Sequence, residues 1–167
     1  MKEIKIKPCG SALVDDDDYE RLNQYKWYLS QHRYSCHVAR SEWDDERKRN
    51  VTVYMHQDVI GKKEGFEIDH VNGNGLDNRR SNLRHCSRSQ NQMNCSSRDR
   101  KSKYKGVYAT RHGRWIAQLC FNRNHFYVGT YETEEAAAIA YNKIATEKYG
   151  EFAKLNSISR VMELKEG

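Results

Sequence analysis

The chain has 167 residues, of which 37% are hydrophobic, 31% charged and 11% aromatic; that is enough for one ordinary domain or two small ones, and too aromatic for a wholly disordered polymer. Lysine and arginine number 29 against 23 acids, a net charge of +6, which points toward a polyanionic partner. No apolar run approaches the roughly 18–20 residues of a membrane span, and Met1-Lys2-Glu3-Ile4-Lys5 lacks the apolar stretch of a secretion signal, so a cytoplasmic location and no membrane partner are expected.

The first fifty residues open with a short strand, Ile4 to Ile6, and a turn at Cys9-Gly10-Ser11. The acidic run Asp15 to Asp18 reads as a cap and solvated face for a helix carrying Tyr19, Leu22 and Tyr25 at helical spacing, with Tyr28 closing the series. Tyr34 to Ala39 alternates like a strand, Glu42 to Asn50 forms a charged hairpin-like loop, and Val51 to Tyr54 is rich in β-formers.

Met55 to Asn94 carries the first chemical constellation. A strand ends in Asp69-His70 and enters the Gly/Asn loop Val71-Asn72-Gly73-Asn74. A second strand runs from Leu83 to Cys86 after Asn78-Arg79-Arg80-Ser81-Asn82. Ser87-Arg88-Ser89-Gln90 has the form of a capping box and starts a helix, which places Asn91 and Asn94 on one face. Polar groups from two strands, a loop and a helix can thus converge on one point. From Arg79 to Lys105 nine basic residues face the single acid Asp99, a density suited to neutralising phosphates. Within it, 96–103 is wholly polar and reads as a basic linker.

The second compact unit spans Tyr104 to Asn156. Val107-Tyr108, Arg114 to Phe121 and His125 to Thr130 read as three strands, with turns at Gly113 and Asn122-Arg123-Asn124. Thr133 caps a helix over Glu134 to Tyr149 that stops at Gly150. Trp115 and Phe126 are expected to face that helix. Residues 157–167 read as a tail. The five cysteines, Cys9, Cys36, Cys86, Cys95 and Cys120, are odd in number and without close pairing, so reduced thiols are expected, and no structural zinc.

The pattern Asp-His, then Asn-x-x-x-Asn-Leu-Arg, then Asn-x-x-Asn resembles the HNH nuclease family, whose core is a ββα-metal finger. The resemblance implies His70 as general base, Asn82 as the group that orients its ring, and Asp69 with Asn91 as ligands of one Mg²⁺ or Mn²⁺ per active site. Such a sparse oxygen site suits a hard ion completed by water and phosphate, and neutral imidazole is a competent base near pH 7. Arg79, Arg80, Arg84 and Arg88 are candidates to grip flanking phosphates. His56 stands where the family often has a histidine, but Gln57 and Asp58 depart from the family's following residues, so its role stays open between support and phosphate contact. His85 and Asn94 are lesser candidates, His85 reading better as a structural histidine.

Residues 104–156 look like the plant ethylene-response-factor, or APETALA-type, DNA-binding domain. That resemblance implies a three-stranded sheet laid in the major groove of double-stranded DNA, with Lys105, Tyr108, Thr110, His112, Arg114, Gln118, His125 and Tyr127 at contact positions. Tyr108, Thr110 and His112 depart from the plant pattern, so its base preference does not carry over. The joined architecture resembles phage-borne and intron-borne homing endonucleases. The expectation is an α+β chain: an N-terminal α/β extension merged with the finger (1–95, core 51–95), the linker, then the DNA-binding domain. It would act in a bacterial or phage-infected cell as a monomer or weak dimer, by nicking or double-strand cleavage. A DNA-binding regulator with a silent nuclease fold is the alternative.

Overall fold

A computed structural model describes residues 1–32, 35–95, 102–121 and 124–158. The chain divides into two compact units, Met1–Asn91 and Gln92–Gly167. Among the described residues no helix is long and apolar enough to cross a membrane.

The first unit is built on a five-stranded sheet of order β2-β1-β3-β4-β5. β1 (Lys2–Lys7) and β2 (Ser11–Val14) form an antiparallel hairpin, and α1 (Asp16–Asn23) follows. β3 (Trp27–Gln31) then runs parallel to β1, and β4 (Cys36–Asp44) and β5 (Arg49–Tyr54) add antiparallel strands. Alternation gives the sheet one apolar face: Ile4, Ile6, Trp27 and Val38 are buried, and Leu29, paired with Val38, packs beside them. Leu22 of α1 and Met55 and Val59 of α2 (Met55–Ile60) close this core together with Leu83. Each such side chain contributes about 1.5–3 kcal/mol when fully buried.

Two expectations for this region are corrected. The helix does not continue through Tyr25 to Tyr28: it ends at Asn23, and the Trp27 indole donates to the Leu22 carbonyl at 2.7 Å as the chain turns into β3. The acidic run is a solvated face only in part: Asp16 and Asp17 are exposed in the first turn of α1, whereas Asp15 and Asp18 are engaged. Asp18 is 3% exposed and accepts from Arg80 at 2.8 and 2.9 Å and from Arg21 at 2.7 Å. The Asp15 carboxylate accepts the Arg80 backbone N–H at 2.7 Å and makes no cap bond. Opposite charge arriving from 62 residues away, rather than the helix's own end, claims these carboxylates.

The finger lies at the end of this unit. β6 (Glu67–His70) pairs antiparallel with β7 (Leu83–Cys86), a short 3-10 turn (Arg80–Asn82) precedes β7, and α3 (Arg88–Asn94) follows. The capping box forms as read: Ser87 Oγ accepts the Gln90 N–H at 3.2 Å, and Gln90 Oε1 accepts the Ser87 N–H at 2.8 Å. The loop between β6 and β7 is sewn to β2 by Leu13 N–H to the Leu76 carbonyl (2.9 Å) and Asn78 N–H to the Leu13 carbonyl (2.8 Å).

In the second unit β8 (Val107–Ala109), β9 (Trp115–Phe121) and β10 (Asn124–Tyr131) form an antiparallel sheet of order β10-β9-β8. α4 (Glu134–Tyr149) packs on it through Ala137, Ala138, Tyr141, Ala145 and Tyr149, against Val107, Ala117 and Leu119. Thr133 caps α4 by accepting the Ala136 N–H at 3.1 Å. Gly106 has φ +72°, and a Cβ there would stand 2.2 Å from the Tyr141 ring, so no other residue lets the strand reach this helix without displacing it. Trp115 is half-buried against this core. Phe126, paired with buried Leu119 on the edge strand β10, is not part of that core and remains 37% exposed. The expected linker falls mostly on 96–101, outside the described residues. Ser102, assigned to it, is buried and donates to Glu134 at 2.7 Å. At the other end Ile158, read as tail, packs against the core.

Candidate active site

The pleat of β6 divides the site. Glu67 and Asp69, with their cross-strand partners Cys86 and Arg84, share one face of the β6–β7 hairpin; Ile68 and His70, opposite His85 and Leu83, share the other.

On the first face Asp69 is 5% exposed, and its Oδ2 accepts from Arg84 Nε at 2.9 Å and Nη2 at 2.8 Å. Asn91, one turn into α3, donates its amide to Glu67 Oε2 at 2.7 Å. This face therefore gathers Asp69, Glu67 and Asn91, an all-oxygen donor set of the kind Mg²⁺ or Mn²⁺ takes. Arg84 already neutralises its buried carboxylate. Cys86 lies beneath, and burial pushes its thiol up to about 11.

The second face is different. His70, 5% exposed, meets His37 of β4 and His56 of α2, with ring centroids 5.3–5.7 Å apart. Tyr54 stacks on His56 at 5.4 Å. Burial is the main cause that holds all three imidazoles below their ordinary range, His37 at about 4 and His56 at about 3. For His70, Asn78 and the nearby carboxylates of Asp69 and Asp77 oppose the shift in part. All three rings are thus neutral near pH 7. The Nδ1 atoms of His37 and His56 are buried with no hydrogen-bond partner, an arrangement that costs about 1–3 kcal/mol for each such atom. His37 carried no signal in the sequence beyond being a histidine on an alternating strand.

Asn78 also meets His70, its Oδ1 lying 3.4 Å from Nε2. Asn82, the residue expected to orient the ring, makes contacts with the loop. Its amide donates to the Asn72 side-chain oxygen at 3.1 Å and the Asp77 carbonyl at 2.8 Å, and its Oδ1 accepts the Asn72 N–H at 3.0 Å. Asn82 pins the loop, and the loop delivers Asn78, which is wholly buried. The sequence signal for Asn78 was a second asparagine four residues before Asn82.

The arginines divide similarly. Arg79 grips Asp77 at 2.6 and 2.7 Å, Arg80 grips Asp18 and Arg84 grips Asp69, whereas Arg88 is exposed. Three of the four expected phosphate contacts thus carry internal ion pairs. His85 binds the Gly61 carbonyl at 3.0 Å, holding the turn after α2, and Asn94 is buried at the end of α3.

The second unit presents Tyr108, Gln118, His125 and Tyr127 on the sheet face away from α4, where pairing sets Gln118 opposite Tyr127. Tyr127 is 66% exposed and its hydroxyl shares a hydrogen bond with Thr130 at 2.8 Å. Arg114 is exposed beside them, in the turn closed by Thr110; His112 is exposed in the same turn. Lys105 is directed elsewhere, its ammonium donating to the Met93 carbonyl.

Two short strands, a polar loop and a helix around an Asp-His strand end define a ββα finger. The profile of the HNH endonuclease family matches residues 60–93. An uncharacterized HNH endonuclease of Acanthamoeba polyphaga mimivirus is 32% identical over 149 residues, covering 88% of this chain and 75% of the viral protein. The chain belongs to the HNH endonuclease family. An AP2-like ethylene-responsive transcription factor of Arabidopsis thaliana is 46% identical over 67 residues, 38% of this chain and 19% of that protein. A second ethylene-responsive transcription factor of the same plant is 45% identical over 58 residues, 33% of this chain and 14% of that protein.

Proposed function

We propose that this endonuclease is a metal-dependent, homing-type DNA nuclease in which the finger hydrolyses a phosphodiester bond and the C-terminal sheet holds the duplex. The observation that carries it is His70, a buried neutral imidazole at the end of β6 with Asn78 on its Nε2. With the proton on Nε2 facing Asn78 Oδ1, the lone pair sits on Nδ1, the form in which imidazole removes a proton from water. Being 5% exposed, the ring offers only an edge to that water.

Asp69 and Asn91, with Glu67 beside them, would hold the Mg²⁺ or Mn²⁺. When bound, the ion supplies Lewis-acid stabilisation of the charge gathering on the phosphate and the leaving 3′ oxygen. Arg84 shares Asp69 and orients its carboxylate; Asn82 acts through the loop. Arg88, exposed on α3, is the basic side chain of the finger proposed to meet a flanking phosphate. In the second unit, Tyr108, Arg114, Gln118, His125 and Tyr127 form the surface proposed to enter the major groove. The likeness to two plant transcription factors supports that reading. Joining cutter and reader raises the cutter's local concentration at the read site.

The test is plasmid incubated with the full chain and Mg²⁺ beside H70A. Nicking or linearisation by the wild type alone, with 5′-phosphate and 3′-hydroxyl ends, supports the nuclease. Equal behaviour of the two proteins leaves a DNA-binding regulator.

A further inference from the structure

His37, His56 and His70 come from β4, α2 and β6, and each offers a ring nitrogen within 4.8 Å of the other two. His56 is 8% exposed and His70 5%. Among the described residues, the buried side-chain atoms without a hydrogen-bond partner are His37 Nδ1, His56 Nδ1 and, on the same helix as His56, Gln57 Oε1. A buried donor or acceptor is normally satisfied, so unpartnered nitrogens on two rings that converge with a third imidazole point to a ligand.

We propose that His37, His56 and His70 form a three-imidazole site for a borderline divalent cation, Zn²⁺ above all, with a fourth position open to water, and that filling it takes His70 out of service as a base. The second half rests on the catalytic reading of His70 given above; the site itself does not. Imidazole nitrogen suits zinc and its neighbours, whereas Mg²⁺ prefers oxygen. A neutral imidazole has a lone pair to give on one ring nitrogen. Three nitrogens at about 2.0–2.1 Å from one tetrahedral ion stand about 3.3 Å apart, so each ring closes on the ion by moving about 1 Å or less.

The surroundings support the placement. Asp69 and Asp77 act on His70 from nearby and offset part of the ion's charge. Gly75 brings its loop against β4: a Cβ there would lie 1.8 Å from the Cys36 carbonyl oxygen and 3.1 Å from His37 Nδ1. The site therefore joins the N-terminal sheet to the finger and is distinct from the oxygen donors Asp69, Glu67 and Asn91 on the other face of β6.

Co²⁺ is the probe, titrated into the metal-free full chain and read by visible absorption, with Zn²⁺ added afterwards. The expected result is one equivalent of Co²⁺ giving the intense bands of a low-coordinate nitrogen site, no thiolate charge-transfer band, displacement by Zn²⁺ and none by millimolar Mg²⁺. H37Q and H56Q are expected to weaken binding at least tenfold, and Zn²⁺ to raise the wild-type Tm. A pale octahedral spectrum, a thiolate band, or affinity unchanged in both variants overturns the site, and the wild-type spectrum decides even if a variant fails to fold. In the plasmid assay Zn²⁺ should suppress Mg²⁺-supported cleavage by the wild type at least tenfold and that of H37Q less, each measured against its own zinc-free rate; equal suppression overturns the inhibitory half. A wild type that binds Co²⁺ as expected but never cuts DNA defeats the nuclease reading and leaves the site standing.

Discussion

The two faces of the β6–β7 hairpin hold opposite chemistry. Toward α3 lie Asp69, Glu67 and Asn91, oxygen donors with Arg84 among them; toward the body of the unit lie His70, His37 and His56, all nitrogen. Adjacent residues on a strand face opposite ways, so the neighbouring letters Asp69-His70 are dealt to different neighbourhoods. The lesson is that a dipeptide motif names two environments, and the rest of the chain decides what each one is.

The comparison is broken most severely at its hinge. H70A is expected to reduce plasmid cleavage by about 10²–10⁴-fold, the usual worth of a positioned base, measured as the rate of supercoiled-form loss at fixed Mg²⁺. Removing the cation of the oxygen face comes next: R84A takes the paired guanidinium from buried Asp69 and should cost about 3–5 kcal/mol by denaturant unfolding, while D69N/R84A together should recover part of that loss. On the nitrogen face, G75A forces the loop off β4 and should destabilise by about 1–3 kcal/mol, with binding of Co²⁺ weakened in parallel.

A milder perturbation is acid. His37 and His56 are held at about 4 and about 3, below their unfolded value. Between the unfolded value near 6.5 and those lower values the unfolded chain binds protons that the native chain refuses, so stability falls as pH falls. Each histidine contributes about 1.4 kcal/mol per pH unit within its window. Urea unfolding of the metal-free chain from pH 7 to pH 5 checks the slope, and H37Q should flatten it. The smallest effect belongs to the second unit: R114A is expected to lower the log–log salt slope of duplex binding by about one.

How legible these features were depends on how local their causes are. The capping box at Ser87-Gln90, the Thr133 cap and the three strands before α4 are written in neighbouring residues and stand where they were read. β2, β3 and α2 were not. Ser11–Val14 is too short to signal alone, and Trp27 belongs to β3 because its parallel partner lies on β1, twenty-one residues earlier. The Asp15–Asp18 run looked like a solvated cap because Arg80 is far away in the chain. His37 entered the site through the same long-range pairing, and Asn78 through the bonds of its loop to β2. The expectation of no structural zinc was argued from cysteine spacing, and the three imidazoles now proposed to bind zinc share no spacing at all.

The bond between Arg80 and Asp18 also bears on how the protein is made. The finger's loop is stitched to β2 and its 3-10 turn to α1, so the catalytic segment has no platform of its own. During synthesis the sheet strands leave the ribosome first, and the Asp-rich helix is already exposed when Arg80 emerges to meet it. The nuclease finger is thereby assembled after the sheet and α1, onto a scaffold the nascent chain has already laid down.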